Sequence, residues 1–335
     1  MLTAFDKDLA PGARNAIRVC LNVQPHERVT LVADRECEDI AASLAHEIEA
    51  VGAPYKAFIL EDVASRPLVD LPAVIAADME HSQVSLLAVH VQPNELKSRM
   101  QMTDIVNRRK MRHGHMVNIN RQMMLEGMRA DFHKVDRLSQ KVVDIVRDAK
   151  HVRATTKGGS AFTATLDPDY KWIKTSGLIS PDKWGNLPGG EVFTTPGNVE
   201  GTIVIDGVVG DFLCEKFGSL AEHPLTLRVT NNRVVEAHSD NKELENDFWT
   251  YTHTDANSDR VGEFAIGTNI ELTQVIGHIL QDEKFPGIHV AFGDPYGAHT
   301  GADWTSSTHI DVVATRFDIW VDDRQIMADG KFLIE

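Results

Sequence analysis

Cysteine is scarce in this chain of 335 residues. The three present, Cys20, Cys37 and Cys214, are far apart and never form a C-x-x-C pair. That pattern excludes a disulfide scaffold and a zinc ribbon, and it predicts a reducing, cytoplasmic setting. Basic residues are outnumbered, 34 Lys and Arg against 49 Asp and Glu, for a formal net charge of -15. A basic stripe for nucleic acid and attraction to an anionic membrane are both disfavoured by that balance. No run of 18 apolar residues occurs, so no membrane-spanning helix is expected. The N-terminal stretch Met1–Asp8 lacks a basic segment followed by an apolar one, which predicts no secretory leader. No G-x-G-x-x-G follows the first strand-like run. The turn there, Asp34-Arg35-Glu36-Cys37-Glu38, is acidic and free of glycine, and offers a dinucleotide phosphate neither close backbone approach nor favourable charge.

What is present is an ordinary globular composition, 42% hydrophobic and 25% charged, long enough for two domains. Up to about residue 150, helix and strand signals alternate. Pro11–Val23, Glu38–Val51, Asn94–Arg112 and Leu138–Ala149 carry helical periodicity, and Gly52 supplies a stop signal after the second. Arg28–Ala33, Tyr55–Leu60, Ser85–Val91 and His115–Ile119 are short apolar runs of strand type. Strands separated by helices imply βαβ units and a parallel sheet. Beyond residue 150 glycines multiply and short β-like runs follow one another, among them Ala161–Leu166, Gly201–Ile205 and Leu225–Val229. The expectation is an α/β protein: an N-terminal parallel-sheet domain over 1–150 and a β-rich α+β domain over 151–335.

Candidate chemistry gathers in the second half. In a strand, residues i and i+2 share a face, so His309 and Asp311 project together while Ile310 and Val312 enter the core. Such a pair suits a divalent metal or an acid–base couple; a surface strand with two polar residues is the ordinary alternative. His289 lies in the apolar, glycine-bounded run Gly287–Gly293, where a hydrogen-bonded core histidine is the competing reading. Glu191 and Glu263 each follow a glycine and precede an apolar run. A carboxylate at the start of a buried strand is costly unless paired or bound to a cation. Two Glu, two His and one Asp have the donor chemistry for a pair of divalent ions sharing a carboxylate, or for one ion with open positions. Tyr296 could add a hydroxyl nearby or simply pack. His299 and Asp303, in the loop between the two histidine strands, rank below the strand residues.

Several of these segments resemble a known family. Asn186–Pro196, Val199–Gly207, Gly262-Glu263, His289–Gly293, Tyr296 and His309-Ile310-Asp311 form an ordered set, E…G-E…H-x-A-x-G…Y…H-x-D. It is similar to that of the aminopeptidase T/aminopeptidase S metallopeptidases, the thermophilic leucyl aminopeptidase type. The likeness covers the C-terminal half well, and the N-terminal half only as a general α/β layout. Carried over position by position, it implies that Glu191, Glu263, His289, His309 and Asp311 ligate a dinuclear centre of Zn, Co or Mn. It places Tyr296 beside the metals as an oxyanion donor, and gives Glu191 or Glu263 the proton transfer in hydrolysis by a metal-activated water. It also implies a homodimer acting on a small peptide or other small molecule. The chain is shorter than typical members and its loop between His289 and His309 is compact, which bears on the substrate rather than on the ligands.

A second branch of the fold, the 2,5-dihydroxypyridine 5,6-dioxygenases, binds one ferrous ion. It is similar at Glu200-Gly201-Thr202 and His309-Ile310-Asp311, has a histidine where this chain has Glu263, and lacks counterparts of Glu191 and His289. This chain keeps the peptidase-type positions, so hydrolysis is the first expectation. The alternative is an Fe(II) dioxygenase using His289, His309 and Asp311 as a facial triad.

Other clusters read as structural. His113 and His115, next to Arg108, Arg109, Lys110 and Arg112, look like a solvated helix end. Met100, Met102, Met111, Met116, Met123, Met124 and Met128 suit adaptable core or interface packing. All five tryptophans lie in the C-terminal half, with Trp184 and Trp304 the candidates for lining a pocket.

Overall fold

The strand-type runs of the first third become a parallel sheet. Its order is Tyr55–Ile59, Val29–Ala33, Val84–Val89, Arg112–Val117 and Gly185–Asn186, every neighbouring pair parallel. The computed structural model describes residues 5–210 and 212–334; Met1–Ala4, part of the stretch read for a leader, lie outside the described residues. Two compact units result: 1–133 with 177–189, and 134–176 with 190–335.

In the first unit, the helix Glu38–Val51 buries Ile40, Ala41, Leu44 and Ile48 and stops at Gly52, whose φ of 84° is left-handed. The predicted helix over Pro11–Val23 is instead a short α-turn, Ala10–Arg14, running into a wider π-helical stretch, Asn15–Cys20. The Asn15 amide donates to the carbonyls of Met128 and Ala130, tying this stretch to a distant segment. The next predicted helix ends early, at Leu96–Arg109, because Lys110 turns left-handed with φ 52°. Arg112 is thereby released to start a strand. This corrects the reading of His113 and His115 as a solvated helix end: both are buried in an interior strand. Ser85 Oγ bonds His113 Nδ1 at 2.8 Å, and His113 Nε2 meets His115 Nδ1 at 3.1 Å. Burial pushes the His113 imidazole down to about 4. Six of the seven methionines are buried and only Met100 is exposed.

The second unit contains two antiparallel sheets. The larger has eight strands in the order Arg233–His238, Leu225–Thr230, Pro196–Ile205, Ala161–Leu166, His151–Thr155, Asp318–Val321, Arg324–Ala328 and Lys331–Phe332. The smaller has five: His309–Val313, Gly287–Gly293, Val261–Gly267, Glu191–Thr194 and Ile173–Thr175. One core joins them. The helix Phe132–Val146 contributes Leu138, Val142 and Val146, and the small sheet contributes Val192, Phe264, Ile266, Ile288, Val290, Phe292, Ile310 and Val312. Those eight residues fix one face of the small sheet, so the alternate positions must emerge on the other. A bulge between Val261 and Glu263 adjusts the phase of its strand. Strict alternation would put these two on the same side; here Val261 joins the core while Glu263 does not. The three cysteines are free and buried. No helix among the described residues is long and apolar enough to cross a membrane.

Candidate metal centre

The face opposite the core carries Glu191, Glu263, His289, His309 and Asp311. Register sets their spacing. Ala291 pairs with Glu263 on one side and Asp311 on the other, Gly293 pairs with His309, and His289 pairs with Ala265. Alanines at the middle of these rows leave room above the sheet for the longer side chains beside them.

His289 Nε2 is the hub of the cluster. It lies 3.3 Å from Glu263 Oε1, 3.4 Å from Glu191 Oε2 and 4.0 Å from Asp311 Oδ1. His309 Nε2 is 3.5 Å from Asp311 Oδ2 and 3.9 Å from Glu263 Oε2. Around an ion with bonds of about 2.0–2.2 Å, tetrahedral donors stand roughly 3.3–3.6 Å apart. The 3.3, 3.4 and 3.5 Å spacings fall in that range and the 3.9 and 4.0 Å ones exceed it, with Glu191, Glu263 and His289 the group whose ligand atoms all lie within 4.8 Å of one another; oxygen with imidazole nitrogen is a donor set for Zn, Co, Mn or Fe. His309 is oriented from behind: its Nδ1–H donates to the Asp294 carbonyl at 2.8 Å, which turns Nε2 toward the carboxylates.

The electrostatics are those of a cage for cations. Burial opposes charge on His289, but Glu263, Glu191 and Asp311 outweigh it and raise this imidazole to about 9. Burial is likewise outweighed at His309 by Asp311 and Glu263, reaching about 10. Burial pushes the Glu263 carboxyl above its ordinary range and Asp311 adds to the rise, partly offset by the histidines. For Asp311 and Glu191 burial acts in the same sense, yet the neighbouring cations win. His309 and His289 hold Asp311 low, and Lys284 with His289 holds Glu191 low. Protons and a divalent ion compete for one carboxylate lining.

Two charged neighbours escaped the sequence reading. Lys284, 1% exposed, places Nζ 2.7 Å from Glu191 Oε1 and also bonds the Glu283 carboxylate. A signal existed in Asp282-Glu283-Lys284, three charges separated by only Phe285 and Pro286 from a buried strand. Thr175 Oγ1 donates to the same Glu191 oxygen at 2.8 Å.

The remaining candidates sit around this cluster or away from it. Tyr296 is 43% exposed and packs its ring against His309, centroids 4.4 Å apart. His299 and Asp303 are exposed. Trp304 lies under the Arg260 guanidinium, 4.1 Å from its ring centroid, and Trp184 packs on His113 and His115 in the first unit. Asp34, Cys37 and His90 also converge in the first unit. There the Asp34 carboxylate already accepts from the Cys37 and His90 amides and from Arg66. Burial, with Asp34 beside it, pushes the Cys37 thiol up. That group is a hydrogen-bonded knot rather than a second cage.

This cluster of two imidazoles and three carboxylates, with Glu191, Glu263 and His289 buried and His309 and Asp311 partly so, is a candidate metal site on a sheet face. The family model for thermophilic metalloproteases (M29) matches residues 115–324, more than half of the chain and all of the cluster. The chain belongs to the thermophilic metalloprotease (M29) family, and is a metal-dependent peptidase in kind. Among solved structures it is similar to wild-type AmpT from Thermus thermophilus, with a TM-score of 0.71 and 18% identity over 99% of this chain and 100% of that one. It is also similar to 2,5-dihydroxypyridine dioxygenase from Pseudomonas putida KT2440, with a TM-score of 0.69 and 14% identity over 98% and 97%. At these identities the likeness is one of fold. No curated protein sequence matches the chain.

Proposed function

We propose that this metallopeptidase is an aminopeptidase that releases N-terminal residues from small peptides. The observation that supports the reading is the grouping of Glu191, Glu263 and His289 on one sheet face, with His309 and Asp311 3.5 Å apart beside them, in the residue order that resembles aminopeptidase T and S. A carboxylate-rich site also complements the α-ammonium of a free N-terminus.

In this reading His289, His309, Glu263 and Asp311, with Oε2 of Glu191, would hold the divalent metal. A divalent ion held there would supply Lewis-acid polarisation of the scissile carbonyl and a water of lowered pKa. Glu263 would take the proton from the water and pass it to the leaving amine. Glu191 is the poorer proton acceptor, since Lys284 and Thr175 hold its Oε1. Tyr296, its ring tilted against that of His309, would donate its hydroxyl to the developing oxyanion. A cytoplasmic homodimer completes the proposal, supported by the same resemblance and by the three free cysteines.

The test is release of leucine from a leucyl peptide under Zn(II), Co(II) or Mn(II), beside the same peptide N-acetylated. Cleavage of the free peptide alone is expected; equal cleavage of both refutes an aminopeptidase. His289, His309 and Asp311 also make a 2-His-1-carboxylate set. Oxygen uptake with a dihydroxypyridine under Fe(II), and no peptide cleavage, would therefore replace this reading with the dioxygenase one.

A further inference from the structure

A lysine is almost never fully buried unless it is paired. Lys284 is paired with two carboxylates, and one belongs to the candidate ligand set. Its ammonium sits 2.7 Å from Glu191 Oε1 and also bonds Glu283. We propose that Lys284 is a built-in cation of the metal centre, standing in electrostatically for a second divalent ion, so that each chain binds one ion rather than two. This inference rests on the metallopeptidase reading and departs from the dinuclear centre that the family resemblance implies.

Two observations carry it. The first is the engagement of Glu191. A carboxylate that bridges two ions in the bidentate mode uses both oxygens, but Oε1 of Glu191 is occupied by Nζ of Lys284 and the Thr175 hydroxyl. Only Oε2 faces His289. Oε2 of Glu191 then remains with His289, His309, Glu263 and Asp311 as the donor set, enough for one ion with open positions. Two ions would need about three protein ligands each.

The second is charge. Glu191, Glu263, Glu283 and Asp311 bring four carboxylates around the cluster. Lys284 and one divalent ion leave a single negative charge, which suits a substrate's α-ammonium. Lys284 with two divalent ions would make the centre positive and repel that ammonium. Burial makes either imbalance costly, so the cation count that nearly neutralises the cage is favoured.

Metal stoichiometry tests the proposal without reference to turnover. Full-length protein is stripped with a chelator, reloaded with Zn(II) or Co(II), desalted and assayed by elemental analysis and calorimetric titration. About one equivalent is expected for the wild type and for Lys284→Arg, and about two for Lys284→Met, in which Glu191 Oε1 is released. Two equivalents in the wild type overturn the proposal and leave the metallopeptidase reading standing. No bound ion overturns both. One equivalent in a folded Lys284→Met shows that Lys284 does not set the count and overturns the proposal. Should Lys284→Met fail to fold, the wild-type stoichiometry still decides between one and two.

Discussion

Replacing Gly293 by alanine should damage the centre from behind. Gly293 ends the strand that carries His289, and it lies opposite His309 in the ladder. Its φ is +109°, a backbone conformation that side chains rarely adopt, and a residue forced to hold it costs about 1–3 kcal/mol. An added Cβ would fall 2.1 Å from the Thr308 carbonyl oxygen, whereas real Cβ contacts stay beyond 3.0 Å, so the backbone must retreat by about 0.9 Å. Crowding of that kind adds about 1–3 kcal/mol. Together these predict a loss of roughly 2–5 kcal/mol in stability. The retreating residue immediately precedes His309. A misplacement of about 1 Å costs on the order of 100-fold in rate, so peptidase kcat/KM should fall by about that factor even where the protein remains folded. Gly52→Ala is the control. Its φ is +84°, but nothing lies within 4 Å of the new Cβ, so it should lose about 1 kcal/mol and keep full activity. Urea denaturation and initial rates on a leucyl substrate measure both variants. Wild-type stability and rate in Gly293→Ala would refute the reasoning, as would equal losses of activity in the two.

Tyr296→Phe should lower kcat by about 100- to 1000-fold with KM nearly unchanged if the hydroxyl acts on the transition state; a change confined to KM would assign it to substrate binding alone. Chelation should lower the melting temperature, and free Zn(II) or Co(II) at 100 times its Kd should restore about 2.7 kcal/mol of stability; a melting temperature indifferent to every divalent ion would count against the centre. In the first unit, buried His113 stays neutral down to about 4, while an unfolded chain takes up that proton below about 6.5. Between those values the unfolded state holds more protons, so stability falls as pH falls. The loss over the window is about 3 kcal/mol at roughly 1.4 kcal/mol per pH unit. Urea titrations at pH 7, 5.5 and 4.5 should show a shallower decline for His113→Gln, and an unchanged slope would refute the assignment.

Local periodicity made part of this legible. The H-x-D spacing places His309 and Asp311 on one face of a strand, as observed at 3.5 Å, and Gly52 marks the end of the helix Glu38–Val51 as observed. Glu191 and Glu263 stood out because a carboxylate beside an apolar run is costly, and both are buried. The remainder depends on partners distant in sequence. Lys284, followed by Phe285 and Pro286, reads as part of a surface turn, and its burial follows only once the Glu191 strand lies nearby. The bulge at Val261 and Glu263 breaks the alternation that sequence reasoning assumes. His113 and His115 were obscured by the four basic residues before them, because a left-handed Lys110 leaves no trace in hydrophobic periodicity.

The two faces of the small sheet explain how so much charge can be held in place. On one side, Phe264, Ile266, Ile288, Val290, Phe292, Ile310 and Val312 are locked into a core shared with the larger sheet. Each such burial contributes about 1.5–3 kcal/mol as an upper bound. On the other side, the same strands present Glu263, His289, His309 and Asp311, whose charges are costly to bury unless they offset one another or a cation intervenes. A strand that moved to rehydrate those groups would have to withdraw its apolar residues from the core. The donors are therefore held close together by packing that they do not themselves supply. An entering ion finds its shell assembled and need not organise it, which is the condition for a pre-formed site on rigid elements. Lys284 fits the same logic: its ammonium relieves Glu191 permanently, at the point where the donor set comes from the short strand Glu191–Thr194 rather than from the longer strands beside it.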